Sequence, residues 1–140
     1  MKQVLRITLA AAIIAAPVVL KADDVRGVER MLCSSVQVTA CLDGGDCIID
    51  VPANLNVPQF IEIDLKAKSL HTTKASGENR ATAIEHLKRE GGLIVVQGVE
   101  LERAFSILIH EETGSLTAAV ARDGYAVSVF GACTPLVTGP

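Results

Sequence analysis

Four cysteines, three histidines and a few paired acids are the side chains of this 140-residue chain that bear on chemistry. Cys41 and Cys47 are separated by five residues, while Cys33 and Cys133 stand alone on either side. No Cys-x-x-Cys occurs, so thiol exchange and a thiolate metal site both lack the spacing they need. His71, His86 and His110 are scattered singly, and a histidine metal centre needs converging ligands. Asp43, Asp46 and Asp50 depart from the alternating acids of a calcium loop and suit a polar turn instead. The sequence therefore implies no metal and no cofactor.

Hydrolytic chemistry has equally little to work with. His110-Glu111-Glu112 sets a base beside an acid, but it leads into Thr113-Gly114, where exposed charge is expected of a hairpin. Glu62 and Asp64 share a strand face near Lys66 and Lys68, the pattern of salt-bridged surface. There is no Gly-x-Ser-x-Gly elbow and no phosphate-cradling glycine loop. With no nucleophile, base and orienting group to assemble, we expect a protein that is not an enzyme; a small hydrolase without a recognisable motif is the alternative.

The compartment follows from the first 22 residues. Lys2 and Arg6 open the chain, Ile7 to Leu20 form an uncharged, mainly apolar run, and Leu20-Lys21-Ala22 is an imperfect small-residue cleavage site. Fourteen residues fall short of the roughly 20 that cross a bilayer, so the expectation is a cleaved export signal, a periplasmic or secreted product, and no stable membrane span after cleavage. Arg30-Met31-Leu32 before Cys33 lacks the small residues that precede a lipidated cysteine. In an oxidising compartment the four cysteines are expected to form disulfides.

Removing Lys2, Arg6 and Lys21 from 13 basic residues leaves 10 against 16 acids, a formal charge of −6 on residues 23–140. Such a domain repels phosphates, and no basic run exceeds Lys88-Arg89, which excludes a nucleic-acid footprint. A basic protein is the favoured macromolecular partner. Three phenylalanines, one tyrosine and no tryptophan argue against an aromatic carbohydrate platform.

The elements that must position these residues read as strands. Ile61, Ile63 and Leu65 alternate with Glu62, Asp64 and Lys66, and Phe105, Ile107 and Ile109 repeat the pattern. Leu116-Ala118-Val120 and Tyr125-Val127-Val129 follow, joined by Asp123-Gly124, a strong hairpin signal. Val36 to Leu42 alternates up to Asp43-Gly44-Gly45-Asp46, and Ile48 to Val51 returns. Pro52 and Pro58 bracket a loop, and Ser69 to Lys74 folds back before the polar stretch 75–80. Residues 81–90 carry both helix and strand signals; we read a strand, because Leu93 follows at hairpin distance. A short helix before Cys33 is a further expectation, with Val25, Val28 and Leu32 on one face and Asp23 or Asp24 as its cap. The fold expected for 23–140 is one all-β domain, an antiparallel meander of about eight or nine strands closed into a small barrel, lipocalin-like or lysozyme-inhibitor-like.

A three-residue loop at Asp43-Gly44-Gly45 sets Cys41 opposite Cys47, at bridging distance. That leaves Cys33 for Cys133, tying the first strand to the last. Among the three connectivities open to four cysteines, geometry favours this one.

Two resemblances enter here. Val96-Gln97-Gly98-Val99-Glu100, Arg103-Ala104-Phe105-Ser106, Glu112-Thr113-Gly114 and Val129-Phe130-Gly131-Ala132-Cys133 together resemble a group of small uncharacterised exported proteobacterial proteins. That resemblance implies an exported all-β domain and no particular activity. Ala75-Ser76-Gly77 and Arg80 are similar to the Ser-Gly loop that periplasmic c-type lysozyme inhibitors insert into the lysozyme cleft, although Ala81 stands where a tyrosine is expected. The likeness makes Ser76, Gly77 and Arg80 a candidate partner-binding loop. Because the inward positions are Ile, Val, Leu and Ala, a small apolar ligand inside the barrel is the other expected partner.

Overall fold

The computed structural model describes residues 23–136. The export signal expected over residues 1–22, with its cleavage site, lies outside the described residues. Ten strands form one antiparallel sheet: β1 (Arg30–Leu42), β2 (Cys47–Asp50), β3 (Phe60–Asp64), β4 (Ser69–Thr72), β5 (Ala81–Ala83), β6 (His86–Glu90), β7 (Leu93–Glu100), β8 (Arg103–His110), β9 (Ser115–Arg122) and β10 (Tyr125–Pro135). Their order is β5-β4-β3-β1-β10-β9-β8-β7-β6, with β2 paired to the far half of β1. The all-β expectation holds, with one strand more than the upper count.

The alternation of side chains makes this sheet curl. Met31, Cys33, Val38 and Ala40 of β1 point inward, as do Ile94 and Val96 of β7, Ile107 and Ile109 of β8, Leu116 and Ala118 of β9, and Val127 and Val129 of β10. Burying one face of a single sheet requires that it wrap around its own side chains. Strands β1 and β10 can swing close because Gly131 faces a bulge between Ser35 and Gln37. A Cβ there would lie 2.0 Å from the Ser34 carbonyl oxygen, so only glycine fits.

The expected closed barrel is not formed; the sheet is curled into a half-barrel. Its two end strands are successive parts of one run, 81–90, and they do not pair with each other. The chain bends at Ile84-Glu85, so that Ala81–Ala83 pairs with β4 and His86–Glu90 pairs with β7. The Ile84 amide donates to the Lys68 carbonyl at 2.9 Å and the Glu85 amide to the Gln97 carbonyl at 3.0 Å. A run divided between two partners cannot continue either ladder, and the sheet stays open along this seam.

The helix expected before Cys33 is also absent. Residues 23–29 are irregular, with Gly27 at φ +70° in a turn, and Leu32 belongs to β1. Val25 instead plugs the half-barrel: it is fully buried, and its amide donates to the Glu111 carbonyl at 2.7 Å. Arg89 clamps the segment, donating to the Val28 carbonyl at 3.1 Å and to Glu111 at 2.9 Å. A helix would withdraw Val25 from the core, and burial of a valine outweighs the modest propensity of so short a segment.

Both expected disulfides are present. Cys41 and Cys47 bridge across the β1–β2 ladder on the outer face, and Cys33 bridges Cys133 within the core, at Cα separations of 4.1 and 4.0 Å. Two disulfides are consistent with an oxidising extracellular or periplasmic compartment.

Candidate functional site

The two ends of the half-barrel differ. At one end Val25, Met31, Ile63, Ile94 and Ile109 are fully buried and pack against the Cys33–Cys133 bridge. Toward the other end a cavity of about 170 Å³ opens among the inward residues. Phe105 and Ile107, Ala118 and Val120, and Val127 and Val129 form one wall. Ile61 and Leu70 form the opposite wall, and Leu55 and Val57 close over it from the loop between Pro52 and Pro58. That loop contains a 3₁₀ turn, Pro52–Leu55, ended by Asn56 in a left-handed conformation at φ +53°. Asp50 holds its start, accepting from the Val51 amide at 2.7 Å and from Asn54 at 2.9 Å. This hydrogen bonding accounts for one member of the acid cluster.

A polar rim surrounds the opening. Arg80 Nη2 donates to Glu100 Oε2 at 2.6 Å and its Nε to Oε1 at 3.3 Å, while Thr82 Oγ1 donates to Glu100 Oε1 at 2.7 Å. This clasp links the β4–β5 connection to the end of β7, across the seam where no ladder forms. The Arg80 hydrogen bonds hold the Glu100 carboxyl below the usual carboxylate range, Thr82 adding to the effect, and raise the Arg80 guanidinium above its ordinary value. Gly98 lets the same seam come together. A Cβ there would fall 2.7 Å from the Phe105 ring and 2.9 Å from the Ala83 carbonyl oxygen.

The residues of the candidate loop separate. Ser76 and Gly77 are exposed in a second 3₁₀ turn, Lys74–Ser76, where Ser76 Oγ donates to the Thr73 carbonyl at 2.6 Å and Gly77 adopts φ +71°. Arg80 turns inward to the clasp and lines the cavity. The three histidines stay apart. His71 Nε2 is hydrogen-bonded to Ser69 Oγ at 2.9 Å, His86 is exposed opposite Gln97, and His110 lies near the plugged end opposite Leu93. Glu111, the acid beside His110, is engaged by Arg89. Glu62 and Asp64 pair with Arg30 of the neighbouring strand at 3.6 and 3.4 Å, so cross-strand register, and not chain proximity to Lys66 and Lys68, chose their partner.

Sequence reasoning passed over Glu100, Arg103, Phe105 and Tyr125 as site residues, although all four line this opening. One local signal pointed there. The β7–β8 hairpin turns through Leu101 and Glu102, both at positive φ (46° and 64°), in a two-residue loop where Asn-Gly is the usual choice. Leu101 is 76% exposed at this turn. A second depression, about 220 Å³, lies between Asp23, Phe60 and Ala132; it is more open to solvent and less enclosed by apolar side chains.

No protein-family model, no curated protein and no solved structure matches this chain.

Proposed function

We propose that this protein is an exported binding protein, not an enzyme, which holds a small apolar ligand in the open end of its half-barrel within the periplasm or outside the cell. What supports this most is the cavity of about 170 Å³, walled mainly by Phe, Ile, Leu, Val and Ala. An engineered apolar cavity of about 150 Å³ stays dry and takes up benzene, so this volume suits a single ring or a short hydrocarbon chain. One plugged end, one open end and a polar rim also provide the lipocalin-like mode of binding without a closed ladder.

Calorimetric titration with 1-octanol tests the proposal. Saturable binding is expected, and Ala118→Leu, which fills the cavity from β9, is expected to abolish it while leaving the far-UV spectrum unchanged. No binding to the parent protein would refute it. A second function, inhibition of a basic lysozyme-type hydrolase, draws support from the acidic charge and from exposed Ser76 and Gly77. Lysozyme assays with and without the protein decide it: inhibition lost in Ser76→Trp would favour the inhibitor, and undiminished lysozyme activity would reject it.

A further inference from the structure

The ligand proposed above is apolar in its body, and the rim specifies its head. Alternation and register place Glu100, Arg103, Arg122 and Tyr125 in one row at the mouth; Arg122 is the exposed member and lies just outside the cavity lining. Glu100 pairs with Arg103 across the β7–β8 ladder, and Arg122 pairs with Tyr125 across β9–β10. The β8–β9 ladder ends at Ala104–Ala121, and Arg103 and Arg122 are the residues that follow it on the two strands. Like charges side by side on neighbouring strands repel. Glu100 forms no ion pair with Arg103, since Arg80 and Thr82 engage both of its oxygens, and the Arg103 charge reaches the carboxylate only through space, adding to the lowering of its pKa. Glu102 and Asp123 are the acids nearest in the chain, yet neither arginine forms an ion pair among the described residues. Arg122 is steadied instead over the Tyr125 ring, 5.2 Å from its centroid. Arg103 is half-buried and lines the cavity.

We infer that Arg103 and Arg122 form an anion-binding pair at the mouth, and that the ligand is a short-chain anionic amphiphile: a hydrocarbon body of about six to eight carbons in the cavity with a carboxylate between the two guanidinium groups. A carboxylate accepts from guanidinium in a bidentate fork, and partial burial strengthens such bonds. It also removes the repulsion between the arginines. The negative charge of the whole chain opposes this only weakly, since exposed charges beyond roughly 8–10 Å are screened at physiological ionic strength.

The inference rests on the apolar cavity, and its test separates the two. The purified protein is titrated with octanoate, 1-octanol and octylamine at equal ionic strength. Octanoate is expected to bind at least about tenfold more tightly than octanol, the factor corresponding to one charge-assisted hydrogen bond, and octylamine more weakly than either. Arg103→Gln with Arg122→Gln is expected to remove the preference for octanoate, so that this variant binds octanoate and octanol equally. Equal binding of octanoate and octanol by the parent protein, or a preference that survives the double substitution, overturns the anion pair while the cavity stands. Failure of all three to bind overturns both.

Discussion

Removing the buried bridge, with Cys33→Ala and Cys133→Ala together, tests the assignment of covalent closure. The bridge spans 100 residues, against 6 for Cys41–Cys47. In the chain-entropy treatment these loops correspond to about 4.7 and about 2.2 kcal/mol of stabilisation at 25 °C. Both core sulfurs are almost wholly buried, with Cys33 at 1% and Cys133 at 2% exposure, so their loss adds roughly 1 kcal/mol for lost packing. The double substitution is therefore expected to cost about 5–6 kcal/mol. Total stability for a domain of this size is roughly 5–15 kcal/mol, so the variant should be at or near the limit of folding. Urea unfolding followed by circular dichroism measures this against Cys41→Ala with Cys47→Ala. The core pair should cost about 3 kcal/mol more and raise the denaturant slope, because an uncrosslinked unfolded chain exposes more surface. Equal losses for the two pairs, or a smaller loss for the core pair, would refute the reasoning.

Three further outcomes follow from the rim and the seam. Glu100→Gln, which weakens the clasp to Arg80, should cost about 1–2 kcal/mol at neutral pH by chemical denaturation. Because the folded carboxyl lies below its ordinary value of 4.5, the stabilisation is complete above that range and is lost as pH falls through the folded value, so parent and variant should converge in acid. Gly131→Ala forces a Cβ onto the Ser34 carbonyl, and a loss of about 2–4 kcal/mol in the same assay is expected; an unchanged midpoint would contradict the close approach of β1 and β10. Leu101→Asn with Glu102→Gly matches residue type to the positive-φ turn and should raise stability by about 1–2 kcal/mol, read as a higher melting temperature.

Much of the scaffold was legible along the chain. Period-two alternation located β3, β8, β9 and β10, and turn chemistry at Asp43-Gly44-Gly45 and Asp123-Gly124 set the register of two hairpins. That register in turn paired Cys41 with Cys47 and left Cys33 for Cys133. These features depend on neighbours a few residues apart, where backbone preference and side-chain period suffice. The helix expected near Val25 failed because a local pattern of valines and leucine cannot reveal that the core has a vacancy at one end for a single side chain.

The candidate site rests on contacts that no local pattern encodes. Glu100, Arg103, Arg122 and Tyr125 come from the ends of four successive strands, and each looks like an ordinary hairpin residue in its own segment. They come to one end of the sheet because successive ladders keep their register, and Glu100 is hydrogen-bonded there by Arg80, 20 residues away in the chain. The bend at Ile84-Glu85 likewise arises from competition between β4 and β7 for one run. Residue type and spacing determine which strands form and which cysteines meet; how far the sheet curls, which end is plugged, and which charges lack a partner depend on packing across the whole sheet.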